Sequence, residues 1–232
     1  EVFCEGEKVE SGKTKLDFSK PLTFVVKAQS GETRQYVVSV KNNGLPVIHI
    51  EAPFEKGTIT KTEWLSNCKM TVYHEDGTLD YFSGEGMMNI KGRGNSTWDA
   101  SQKKPYAIKL NEKSEILGLL EHKRWVLLAN HYDRSFIRAG LASWLAKRLT
   151  NQDWTPSGFS VELIFNNEHV GNYFFCEQVK VDDDRVDSDY LLEVDTKAKQ
   201  TFTGGDDITF ETSQTGNLFN IKYPEVTTGD SE

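Results

Sequence analysis

Residues 159–180 read FSVELIFNNEHVGNYFFCEQVK, and this stretch decides the fold class. Residues 159–165 and 170–180 carry the β-branched and aromatic content of strands. Asn166-Asn167-Glu168-His169 between them has the chemistry of a hairpin loop. The second strand is apolar on both faces through Tyr173, Phe174, Phe175 and Cys176. Such a strand belongs in the middle of a sheet that is covered on both sides.

Upstream of this hairpin the spacing predicts a helix over residues 135–149. Ile137, Leu141, Trp144, Leu145 and Leu149 recur at i, i+4, i+7, i+8 and i+12, which is one helical face and the expected core face. Asp133 or Ser135 can cap its start by accepting backbone N–H bonds. Lys147 and Arg148 suit its negative end, and Asn151 and Pro156 stop it. Further upstream, residues 47–51, 69–74, 86–93 and 106–110 read as strands. Glu75-Asp76-Gly77 turns the chain between residues 69–74 and a strand at 79–82. Residues 125–129 read as a short apolar strand or turn, and 190–194 as another short strand. Short strands alternate from Thr201 to Pro224, and the tail 227–232 is polar. The order is a strand-rich sheet, one long helix, then two more strands. The expected fold class is α+β, with one long helix packed on a mainly antiparallel sheet.

Residues 1–43 form a separate all-β segment. Residues 22–28 are apolar and β-branched, Ser30-Gly31 turns the chain, and residues 34–41 follow with Tyr36, Val38 and Val40 on one face. Asn42-Asn43-Gly44 closes the segment. So little sheet is not a comfortable domain by itself. It resembles the C-terminal strands of bacterial immunoglobulin-like modules. A second domain is expected over residues 44–232.

The 232 residues carry a net charge of −8, so a basic footprint for nucleic acid is not expected. No apolar run approaches a membrane span, and no signal peptide is visible. The chain opens with Glu1 inside a strand, which points to a processed or engineered start. Cys4, Cys68 and Cys176 are odd in number and far apart, so they read as buried thiols rather than disulfides or metal ligands. The five histidines share no i, i+4 spacing, which argues against a zinc site.

Three segments could carry chemistry. In the first, Lys91-Gly92-Arg93-Gly94-Asn95-Ser96-Thr97-Trp98 is followed by Lys103-Lys104-Pro105-Tyr106-Ala107-Ile108-Lys109-Leu110. Glycines flanking Arg93 let backbone N–H groups approach an anion. A lysine on the next strand can then reach a phosphate, a contact worth about 4 kcal/mol at 4 Å in a surface-like dielectric. The same residues also read as a plain turn and an edge strand with solvated lysines. In the second, Asn130, Asp133 and Arg138 cluster at the helix start, where capping plus an Arg–Asp surface pair is the simpler account. In the third, Glu177 shares a strand face with Tyr173, Phe175 and Val179, so it needs a cation such as Lys104 or Arg138 or several N–H donors, or else it sits wet at the strand end. Asp206 and Asp207 after Gly204-Gly205 offer too few oxygens for calcium and read as a surface turn.

In this order, Arg93 to Trp98, Lys103 to Leu110, Trp125 to Arg138, Glu162 to Glu177, Tyr190 to Asp195 and Ile221 to Glu225 resemble the CotH kinase family, which is named for a spore-coat protein. The resemblance implies the nucleotide-binding lobe of a protein-kinase-like fold. It implies phosphoryl transfer from ATP, with Mg or Mn, to Ser or Thr of a secreted or surface protein, and an extracellular or cell-surface location in bacteria. On that analogy Lys104 reaches the ATP phosphates, with Lys109 as the alternative on the same strand. Arg93 helps hold phosphate, and Glu177 lies near the adenine or pairs with the lysine. The family's Asn-x-Asp and Trp-Asp-(Phe/Tyr)-Asp segments are not found here, so the catalytic residues are expected beyond residue 232 and these residues alone are expected to be inactive. The rival readings are a carbohydrate- or protein-binding surface module and a non-catalytic coat-like protein.

Overall fold

The computed structural model describes residues 1–18, 20–40, 44–149, 152–194 and 209–224. The expected turn residues Asn42 and Asn43, the helix stop at Asn151, the Gly204-Gly205-Asp206-Asp207 turn and the 227–232 tail lie outside the described residues. The chain divides into two units, Glu1–Leu45 and Pro46–Glu232. In the first, β1 (Val2–Cys4), β2 (Glu7–Lys8), β3 (Leu22–Lys27) and β4 (Thr33–Val38) form one antiparallel sheet in the order β2-β1-β3-β4. Cys4 and Leu22 are buried there.

The second unit overturns the α+β expectation. Its strands are β5 (Val47–Glu51), β6 (Leu65–Tyr73), β7 (Leu79–Phe82), β8 (Met88–Gly92), β9 (Tyr106–Ile116), β10 (Leu119–Leu128), β11 (Gly158–Phe165) and β12 (Glu168–Glu177). Seven of them run in the order β5-β11-β12-β10-β9-β8-β6, and β5 pairs with β6 to close a barrel. β7 hangs on β6. Strands take 46% of the structure and helix 8%, so the fold is mostly β rather than a kinase-like lobe built on one long helix. Closure rests on the parallel pairing of Val47 with Glu162 and Ile50 with Phe165, contacts more than a hundred residues apart. No local pattern announces a pairing of that kind. Closure also removes the free sheet edges that invite aggregation.

Two hairpins show why the strands run longer than their apolar cores. Leu117 and Gly118 both take positive φ (53° and 69°), so β9 and β10 extend to a tight two-residue turn. Asn166 and Asn167 do the same (46° and 65°), which leaves Glu168 and His169 inside β12 rather than in its loop. Alternation along each strand sends one set of side chains inward. Ile108, Trp125, Leu163 and Phe175 are among those filling the interior with no exposed surface. Phe174 and Cys176 point to the other face of β12 and are also buried, as a central strand requires.

The helix differs from its expected form. α2 (Arg138–Ala146) has nine residues. Ile137, Leu141, Trp144, Leu145 and Leu149 do share a side, but that side faces solvent, with Trp144 53% exposed. The core-face reading of this row is therefore corrected. The barrel buries its large apolar residues inside itself, so its outer wall needs only a thin cover. Ala139 packs on the patch around Phe174, a Cβ on Gly140 would touch the Phe174 ring at 3.4 Å, and Ser143 Oγ donates to Pro156 O. After the barrel, β13 (Leu191–Val194), β14 (Thr209–Glu211) and β15 (Leu218–Tyr223) form a small sheet in the order β13-β15-β14.

Candidate functional site

The glycine-flanked arginine turn leaves β8 at one end of the barrel. Gly94 has φ +85°, a conformation that favours glycine. Arg93 N–H donates to Pro105 O at 3.1 Å and Gly92 N–H to Thr60 O at 2.7 Å. Those two donors are thus already used by the protein. Residues Ser96–Ala100 make a single helical turn, α1. The Lys104 ammonium donates to Trp98 O and stands 5.2 Å from the Trp98 ring centre, and Lys61 Nζ donates to Gly94 O at 3.2 Å. Lys104 and Lys61 therefore pin the turn down. Alternation on β8 sets Arg93 on the outer face, where burial draws its pKa down and Cys176 and Glu193 act in the opposite sense.

Lys109 stands elsewhere. On β9, Tyr106, Ile108 and Leu110 point inward and Lys109 is exposed on the outer wall. Across the strands it lies level with Asn89 on β8 and Arg124 on β10. Lys91, two residues before Arg93, stacks 5.0 Å from the Trp64 ring centre, and Arg124 stands 4.8 Å from the same ring. Lys91 and Arg124 thus flank one indole, and Lys109 lies level with Arg124 on the outer wall. The next row of the wall is Ala107, Val126 and Cys176, buried and mostly apolar. Burial pushes the Cys176 thiol up to about 12, so it is an apolar neighbour rather than a nucleophile. Cys4 and Cys68 are likewise free and buried.

Glu177 is not beside Lys104. It pairs in register with Trp125 on the inward side, while the Lys104 carbonyl accepts the Tyr173 hydroxyl at 2.9 Å, four residues back along β12. Glu177 is 3% exposed and accepts the Ser157 N–H at 2.8 Å. The buried Arg185 donates to Arg124 O and Gln178 O at 3.0 and 2.6 Å; burial lowers its pKa, and the charges of Glu177 and Asp182 oppose that. Sequence reading missed Arg185, because nothing local shows that a loop arginine returns to the barrel.

The helix-start cluster does assemble. Asp133 accepts Ser135 N–H, Ser135 Oγ–H and Arg138 N–H at 3.0, 2.5 and 2.8 Å, and Arg138 Nε lies 3.6 Å from it. The Ser135 hydroxyl, more than any other partner, holds this carboxyl below its ordinary range. Asn130 takes φ +50°, and its buried amide nitrogen has no hydrogen-bond partner among the described residues. Lys103, singled out only as part of a lysine pair, joins the cluster to the barrel. Its ammonium donates to Asn172 O and lies between the Tyr173 and Phe136 rings, 4.5 and 5.0 Å from their centres. Burial lowers its pKa, with the Glu162 carboxylate opposing.

The class these features define is a closed β-barrel domain with a cationic outer wall beside a pinned, glycine-flanked arginine turn. Residues 90–225, more than half of the chain, match the family model described as CotH kinase protein, and the chain belongs to that family. None of the curated proteins matches it. Membership suggests a kinase-like function. No described helix is long and apolar enough to cross a membrane.

Proposed function

We propose that the barrel binds ATP for phosphoryl transfer to Ser or Thr of a secreted or surface protein. The observation that carries this reading is the cationic outer wall, where Lys109 lies level with Arg124, and Arg124 and Lys91 both stand on the Trp64 ring. Clustered cations suit the phosphates of a nucleotide. Lys109, exposed on the outer wall, is the phosphate lysine in this reading, and Arg93 assists from the next strand end. Lys104 supports the turn through Trp98, and Glu177 holds the barrel end through Ser157.

When bound, ATP supplies the transferable phosphoryl group; these residues bind and orient it. Kinases use Mg or Mn with ATP. Among the described residues no three His, Cys, Asp or Glu side chains converge, and no metal-dependent step is assigned to them. The test is calorimetric titration of the chain with ATP. Lys109→Ala is expected to weaken binding about tenfold, the loss of about 1.4 kcal/mol. Unchanged affinity in Lys109→Ala overturns the reading.

A further inference from the structure

In α2, Ala139, Gly140, Ser143 and Ala146 are half-buried, and the large side chains are exposed. Ile137, Leu141, Trp144 and Leu145 are 62, 55, 53 and 53% exposed. A contiguous apolar row on a folded domain marks a contact surface. The row is also cationic. At about 100° per residue, Arg138 and Arg148 fall among these side chains. The Arg148 guanidinium lies 3.6 Å from the Trp144 ring centre and donates to Trp144 O at 2.8 Å. Residues 134–149 hold four cations, Arg134, Arg138, Lys147 and Arg148, and no carboxylate. All four are exposed. The nearest carboxylate in sequence, Asp133, is occupied by the helix start and Arg138. This basic patch stands on a chain of net charge −8.

We propose that this face of α2 docks a protein partner whose contacting element is an acidic amphipathic helix. Its apolar row packs against Ile137, Leu141, Trp144 and Leu145, and its carboxylates meet Arg138 and Arg148. Charge complementarity selects that occupant. A second copy of this chain would set arginine against arginine across a two-fold axis. An anionic bilayer offers both chemistries but brings the rest of an acidic molecule towards a negative plane, whereas a helix meets α2 alone. The inference does not depend on the nucleotide reading.

The test uses two labelled helical peptides with the same leucine row, one flanked by glutamates and one by lysines. Phosphatidylserine vesicles form a parallel arm. Fluorescence anisotropy is expected to show the glutamate peptide binding at least about tenfold more tightly than the lysine peptide. The preference should collapse in about 1 M salt, where the screening length is about 3 Å. Arg148→Glu, with its fold checked by circular dichroism, is expected to remove most of the preference, and Leu141→Ser to weaken both peptides. Four outcomes overturn the proposal: equal binding of the two peptides, no binding by about 1 mM, a preference untouched by Arg148→Glu, or vesicle binding without peptide binding. Dimerisation of the chain alone through this face, reversed by Leu141→Ser, also overturns it.

Discussion

Trp98 lies across Gly92. A Cβ on Gly92 would stand 2.3 Å from Trp98 Cη2 and 2.9 Å from Thr60 O, so the indole and a backbone carbonyl fill the place a side chain would take. The motif's first glycine is there for close approach, and its φ is not in the left-handed region. Trp98 in turn packs against the barrel core and supplies the carbonyl that Lys104 holds.

Gly92→Ala is therefore expected to destabilise the fold by about 1–3 kcal/mol, the usual cost of overpacking. Urea unfolding should show a lower midpoint at an unchanged slope. A midpoint equal to that of the parent would mean that Trp98 does not occupy this position.

Lys104→Ala and Lys109→Ala should separate support from binding. Lys104→Ala frees the Trp98 carbonyl and loosens the turn, so the melting temperature drops. Lys109→Ala removes an exposed cation, for which surface substitutions usually change stability by about 0.5 kcal/mol or less. Thermal shift with and without ATP checks both. The expected result is a lower baseline melting temperature for Lys104→Ala and a lost ATP-dependent shift for Lys109→Ala.

His122 sets an acid limit. Its Nδ1 accepts the Arg124 N–H at 2.8 Å, its Nε2 lies 3.5 Å from Asp182, and it is 7% exposed. Burial first, then Arg185, draws its pKa down to about 4, against the opposing pull of Asp182. The folded value lies below the unfolded one of about 6.5, so the unfolded chain binds more protons between them. Stability is thus complete above about 6.5 and falls as pH drops towards about 4. In His122→Gln this slope should flatten, and an NMR titration should find the imidazole neutral at pH 6. A His122 resonance that titrates at its ordinary value would refute the assignment.

Asp133 gives a slope further into acid. Its folded pKa is held down by Ser135 and the Arg138 N–H. Its contribution is therefore present above the ordinary carboxylate range and is lost as pH falls through the lowered folded value. Asp133→Asn should melt below the parent at pH 7 and converge with it at pH 2. A gap that persists at pH 2 would assign the effect to packing rather than charge.

Much of the local structure could be read in advance for clear reasons. Residues 47–51 and 79–82 are strands because short β-branched or aromatic runs ended by turn residues have few alternatives, and both boundaries hold. The apolar row from Ile137 to Leu149 is real, because periodicity reports which side chains share a side. It does not report what that side meets, and here it meets solvent. Likewise, the turn at Leu117-Gly118 was hidden because leucine is a poor residue for positive φ. Its conformation is imposed by the hairpin, with Asp80 accepting the Leu117 N–H at 2.8 Å.

From its residues alone the chain declared its family and much of its succession of strands, since both are written in local order and composition. Tertiary structure decided that the strands close into a barrel. It also decided that Lys109 faces outward while Lys104 holds a turn, that the Ser157 N–H rather than a lysine meets Glu177, and that α2 shows its large side chains. Each of these depends on pairing between segments far apart in the chain, such as Ile50 with Phe165. The free energy of that pairing is shared across the whole closed sheet and leaves no mark at either position taken singly.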